Sequence, residues 1–191
     1  MGWFNYYGLA VMAIIMVPNI IYAVRRKSDA ANVYDSKAVT VAEQIGRYGC
    51  FFLMIFNIPY TYFGFWFDHA LTVYLSVCGA LCFMYIAFWI VCFKRKDLLR
   101  AVSLSVIPTL IFLFCGIMLS NIPLSAFSML FGVTHIFISV KNVTVKRRKK
   151  PVTVEEKLKD EVLLLFVLLL LALAAVGVLF GADIGNGAFP L

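Results

Sequence analysis

Between Glu43 and Pro59 this 191-residue chain reads EQIGRYGCFFLMIFNIP, and most side chains able to do chemistry in an apolar setting fall in or near that stretch. In a helix, alternating steps of four and three residues put Glu43, Arg47, Cys50, Met54, Asn57 and Thr61 on one face, a polar stripe on an otherwise apolar rod. The adjacent face carries Gly46 and Gly49, small enough to let a second helix pack closely. Polar groups in hydrocarbon are costly unless partnered, so the stripe should face protein or a water-filled cavity. Glu43 and Arg47 have the i,i+4 spacing of a helical ion pair, which also suits two charges marking a headgroup boundary. Asn57 is expected near the middle of a span, because the run from Tyr48 to Phe67 holds no charge and is long enough to cross a bilayer.

Two further residues sit at a matching depth. Asn19 lies six residues before Arg25 and His135 six before Lys141, each roughly 9 Å inside the boundary that the basic residues mark. Arg47 enters from that same boundary. If the first, second and fifth helices are neighbours, Asn19, Arg47 and His135 meet as a small polar site, and an imidazole there makes it proton-sensitive. The simpler arrangement for His135 is a bond to a backbone carbonyl or to Ser139 one turn away. Asn19, Glu43, Arg47, Asn57 and His135 are therefore the candidate polar site, with Gly46 and Gly49 as helix-packing positions.

No catalytic set accompanies them. The chain has no GxSxG elbow, HExxH helix, phosphate-cradling glycine loop or paired intramembrane aspartates. Cofactor motifs are missing too. All five cysteines fall inside apolar runs, so no secreted-type disulfide framework is indicated. Cys78 and Cys82 share a helix face, but with no histidine near them in sequence they read as packing residues, and no metal site is expected.

The elements that position these residues follow from composition. The chain is 63% hydrophobic with a mean hydropathy of +0.93, far outside the soluble globular range. Repeated uncharged runs of about twenty residues match the length a helix needs to cross hydrocarbon. The reading is an all-α polytopic bundle of about six spans: Trp3–Val24, one around Tyr48–Phe67, Ala70–Phe93, Ala101–Ser120, one from the Asn121–Pro123 turn to Val140, and Val162–Ala182. Residues 1–141 form a five-span body, 142–161 a basic linker and helix start with Thr153 and Glu156 as a capping box, and 162–191 a leucine-rich sixth span with a short tail.

Charge sets the orientation. The 17 lysines and arginines fall at the first loop (Arg25, Arg26, Lys27, Lys37, Arg47), the second (Lys94, Arg95, Lys96, Arg100) and after the fifth span. All lie on one side if both termini are extracytoplasmic, as the positive-inside rule asks. The net charge of +7 is thereby explained by topology, and nucleic acid is not an expected partner. Lys146, Arg147, Arg148, Lys149 and Lys150 would lie against anionic lipid headgroups at the cytoplasmic face of the bilayer.

Two fragments are similar to the ExxxR and FxxxH elements of CAAX-processing intramembrane proteases: Glu43 with Arg47, and Phe65 with His69. Ala42 stands where that family has a second glutamate, and 26 helical residues would part Glu43 from His69 by roughly 39 Å, so no shared active site is expected. Residues 1–141 more broadly resemble a group of small polytopic bacterial membrane proteins of uncharacterised function. The resemblance is carried by WFNYYGL, PNIIYAVRRK, EQIGRYGCFFLMIFNIP and HIFIS. It implies a bacterial cytoplasmic membrane protein and no particular activity.

Three roles fit this sequence. A small-solute or ion permeation component would place water at Asn57. A membrane-complex subunit or homo-oligomer would bury Gly46 and Gly49 against a partner helix. An intramembrane enzyme on a lipid or isoprenoid substrate would gather His135 and Arg47 in one cytoplasm-facing pocket. The non-enzymatic pair is the expectation.

Overall fold

The computed structural model describes residues 3–25, 36–65, 67–93 and 98–147. Among them the chain folds into five helices, α1 (Tyr6–Arg25), α2 (Lys37–Ile55), α3 (Ala70–Cys92), α4 (Leu98–Met118) and α5 (Ile122–Arg147), and no strand beyond isolated bridges. Four of these, α1, α3, α4 and α5, are long and apolar enough to cross a membrane. α2 has 19 residues and comparable length, but Lys37, Glu43 and Arg47 in its first half leave it less apolar. The sixth expected span, Val162–Ala182, lies outside the described residues.

The helices close into a ring. α5 packs along both α2 and α4, α4 also packs on α3, and α1 joins α2 to α3. The basic residues Arg25, Lys37, Arg100 and Lys141 all stand at one end of this ring, called the basic end below. At the other end, short backbone pairings tie the connections together. Asn5 N–H donates to the Ile55 carbonyl at 2.8 Å and Asn57 N–H to the Trp3 carbonyl at 2.9 Å, while Gly64 N–H reaches the Leu119 carbonyl at 3.1 Å. Rings of Trp3, Phe4 and Phe56 pack over the first of these pairings, with Trp3 and Phe56 stacked at 5.9 Å.

The second helix differs from the expectation, which carried it to Phe67. It stops at Ile55, and Phe56 is already extended, with φ −113° and ψ 125°. Pro59 explains the stop: its ring would collide with the carbonyl of Ile55 in a continued helix and disfavours helical backbone at Ile58. Asn57 therefore lies at the end of the bundle, buried in a non-helical connection, and not at the middle of a span. α5 runs beyond Lys141, the expected edge of the five-span body, to Arg147. Lys146 and Arg147 thus belong to its last turn, whereas Arg148–Lys150 fall outside the described residues.

Of the three helices that begin at the non-basic end, α1 and α5 are capped by asparagine, while α3 follows His69 without a side-chain cap. Asn5 Oδ1 accepts the Gly8 N–H at 3.0 Å and Asn121 Oδ1 the Leu124 N–H at 3.1 Å. Each satisfies a donor that a helix start leaves orphaned. Asn121 also ends a tight turn in which Ser120 takes φ 48°. Replacing Asn121 by Ala should cost about 1 kcal/mol, a fall of roughly 2–4 °C in the melting temperature of the detergent-purified protein, with Asn121→Asp recovering most of it.

Candidate functional site

One glycine sets the geometry of the site. α2 and α5 run antiparallel, and a Cβ on Gly46 would stand 2.8 Å from the Phe131 backbone nitrogen and 2.9 Å from its Cα. Only a residue without a side chain permits that approach. A turn further along, Gly49 faces the Phe127 ring, and Cys50 Sγ lies 3.7 Å from Ser128 Oγ. A turn in the other direction, toward the basic end, the same register places Glu43 opposite His135. The helix that Gly46 and Gly49 admit is therefore α5 of the same chain.

Glu43 is buried, at 3% exposure, yet charged partners flank it on both sides. Its Oε1 accepts from Arg47 Nη2 one turn along α2 and lies 3.0 Å from His135 Nδ1 on α5. The Arg47 and His135 side chains remain partly exposed, at 34% and 24%. Phe131 serves as a common platform, with the His135 ring stacked on it at 4.7 Å and the Arg47 guanidinium 5.9 Å from its centroid. A buried carboxylate is tolerable only when its lone pairs are used, and here two helices supply the donors. His135 does not bond to Ser139. Ser139 pairs with Ser105 Oγ at 2.7 Å, linking α5 to α4.

Arg47 and His135 open onto a cavity of about 400 Å³ enclosed by the ring, whose lining draws on all five helices. Asn19 of α1 lines the same cavity and donates from Nδ2 to the Ile15 carbonyl at 3.0 Å, within the turn that Pro18 disturbs. Asn19, Arg47 and His135 thus line one cavity, whereas Glu43, which holds Arg47 and His135, is not among its lining residues. Asn57 is not part of it. Tyr85 of α3 is a lining residue that sequence reasoning passed over; it is 1% exposed and its hydroxyl contacts Asn19. Its only signal was a tyrosine in the middle of an apolar span, which core packing explains equally well. Phe51, Phe112 and Phe131 supply the aromatic part of the remaining wall beside aliphatic Ile15, Met16 and Leu104, and Ile20 and Tyr48, 53% and 64% exposed, form its rim between α1 and α2.

His69, the second residue of the protease-like fragments, is exposed at the start of α3, at the end of the ring opposite Glu43. Among the described residues no group of three or more histidine, cysteine or acidic side chains could hold a metal. The cysteines serve packing; all five are buried, and Cys78 and Cys115 bring their sulfurs to 3.4 Å across the α3–α4 contact.

These features define a class: a chain that is helical over its described residues, with four helices there long and apolar enough to span a membrane, and a buried glutamate paired with an arginine and a histidine beside a cavity of mixed aliphatic and aromatic lining. No family model matches the chain, and neither a curated protein nor a solved structure matches it.

Proposed function

We propose that this chain is a six-span protein of the bacterial cytoplasmic membrane, with its basic end in the cytoplasm. It holds a small anionic amphiphile or solute in the central cavity as a step in permeation rather than in catalysis. The observation that carries the reading is the placement of Arg47 and His135, both held by the buried Glu43, in the wall of a cavity that all five helices line. Aromatic and aliphatic walls accept an apolar body, and the partly exposed guanidinium and imidazole at one side supply donors for an acidic head. The exposed rim between α1 and α2 gives a membrane-dissolved ligand a lateral way in.

Glu43 and Arg47 offset each other in charge, and the donors left on the guanidinium and the imidazole are those an incoming anion would use. The test removes the five native cysteines, installs Asn19→Cys, and follows labelling by a membrane-impermeant maleimide in inside-out vesicles, with dodecyl phosphate as the probe ligand. Labelling from the cytoplasmic side, slowed about fivefold or more by dodecyl phosphate and restored by Arg47→Gln, is the expected result. Protection unaltered by Arg47→Gln would sink the assignment of Arg47 and His135 as the anion site.

A second reading has one observation in its favour. Glu43 on Nδ1 orients His135 as a carboxylate orients a general base, so the same pocket suits acid–base chemistry on a lipid or isoprenoid substrate. Recovery of dodecyl phosphate unchanged after prolonged incubation favours binding; release of inorganic phosphate favours the enzyme.

A further inference from the structure

α1 is the least enclosed of the four long apolar helices, with 22% of its most apolar window buried against 50% for α4. Between α1 and α3 runs an open groove of about 750 Å³. Ile14, Val17 and Ile21 wall it on one side and Ile86, Ile90 and Phe93 on the other, with Arg25 at its basic end. Ile90 is 72% exposed and Val17 54%. Toward the other end of α3, on the face that continues through Phe83, a Cβ on Gly79 would meet nothing within 4 Å.

The chain itself contains a segment matched to this groove. After α5 ends at Arg147, at the basic end, residues 148–161 can reach up to about 46 Å when extended, more than the roughly 20 Å of two helix spacings separating α5 from the groove. Residues 155–161 hold Glu155, Glu156, Asp160 and Glu161 against Lys157 and Lys159, and the pair Asp160 and Glu161 immediately precedes the apolar run from Val162, so that pair arrives where Arg25 stands. A helix started there runs antiparallel to α1 and α3. Counting from that end at 1.5 Å per residue, its bulky part, Leu163–Leu171, lies about level with Val17–Arg25 and Ile86–Phe93, the stretches whose residues line the groove. Its small part, Ala172, Ala174, Ala175 and Gly177, arrives at about the level of Phe83 and Gly79, where α3 has an exposed ring beside an open glycine. Large residues fall level with the groove and small ones level with the exposed Phe83 ring. That matters because lipid tails are as apolar as leucine, leaving packing fit to drive helix association.

We propose that Val162–Ala182 of this chain docks as a sixth helix along the α1–α3 groove, with its acidic approach at Arg25. The docking rests on the six-span topology above, which is read separately by labelling Asp183→Cys from the extracytoplasmic side. In the cysteine-free full chain, Ile90→Cys is combined in turn with cysteine at each position from Leu163 to Leu170 and oxidised in native membranes. Ile45→Cys, on the exposed face of α2, is the reference, and a separate chain in which Cys50 alone is retained and combined with Ser128→Cys is the standard for folding and oxidation. Intramolecular crosslinks to Ile90→Cys at helical spacing, about tenfold stronger than to Ile45→Cys, are expected. Crosslinks that appear only as dimers would overturn the proposal in favour of a second copy in the groove. Crosslinks no stronger than the reference would overturn it in favour of lipid, and with Asp183→Cys labelled from outside that failure leaves the topology standing.

Discussion

Glu43→Ala should lower the melting temperature of the detergent-purified protein by about 5–10 °C, the equivalent of roughly 2–4 kcal/mol for a chain of this size. The carboxylate is buried and anchors two donors from different helices. Removing it does more than delete two hydrogen bonds: it leaves the Arg47 guanidinium without its counter-charge and His135 Nδ1 without its acceptor. Because Arg47 and His135 keep partial access to the surface, part of that penalty is relieved by water, which places the cost below the value for a fully enclosed pair. Glu43→Gln keeps the shape and one acceptor oxygen, so it should recover about half of the loss. A Glu43→Ala protein melting within about 2 °C of wild type would mean that α2 and α5 do not depend on the triad.

The second large effect is expected at Gly46. Any Cβ there lies within 3 Å of Phe131 backbone atoms, which cannot turn aside as a side chain can. Gly46→Val must therefore push α2 away from α5, at about 3 kcal/mol or more, and in doing so pull Glu43 from His135. Gly49→Ala is the informative comparison. Its Cβ meets the Phe127 ring at 2.4 Å, and a ring on a partly buried face can rotate, so about 1–2 kcal/mol is expected. Thermal unfolding ranks the two, and dodecyl phosphate protection tells whether the site survives. Loss of protection in Gly46→Val with retention in Gly49→Ala would tie the site to the helix approach. The opposite order would detach it.

The same residues show where sequence reading stops. Helical class, the approximate positions of α1, α3, α4 and α5, and the clustering of positive charge between them follow from composition and run length. Those properties arise from the bilayer-scale demand that each backbone polar group be satisfied within its own helix. The depth of Asn19, Arg47 and His135 was legible for the same reason: helical rise converts residue counts into distance. The second helix was misjudged because an uncharged run was taken as a span, while the steric effect of Pro59 and the pairing of Phe56–Asn57 with Trp3–Phe4 were decided locally and in three dimensions. Glu43 looked like half of an i,i+4 surface pair, and no periodicity along α2 could reveal that its second partner is His135, 92 residues away. Tyr85 was invisible as a cavity residue, since a buried tyrosine on a uniformly apolar helix has no period to mark its face. The kind of helix each apolar run forms, and the offset of Asn19, Arg47 and His135 from the nearest basic residues, are properties of single segments and are readable along the chain, whereas the place of Asn57 was not. Which faces meet depends on which small residue lets which backbone approach, a property of pairs of helices that appears only in three dimensions.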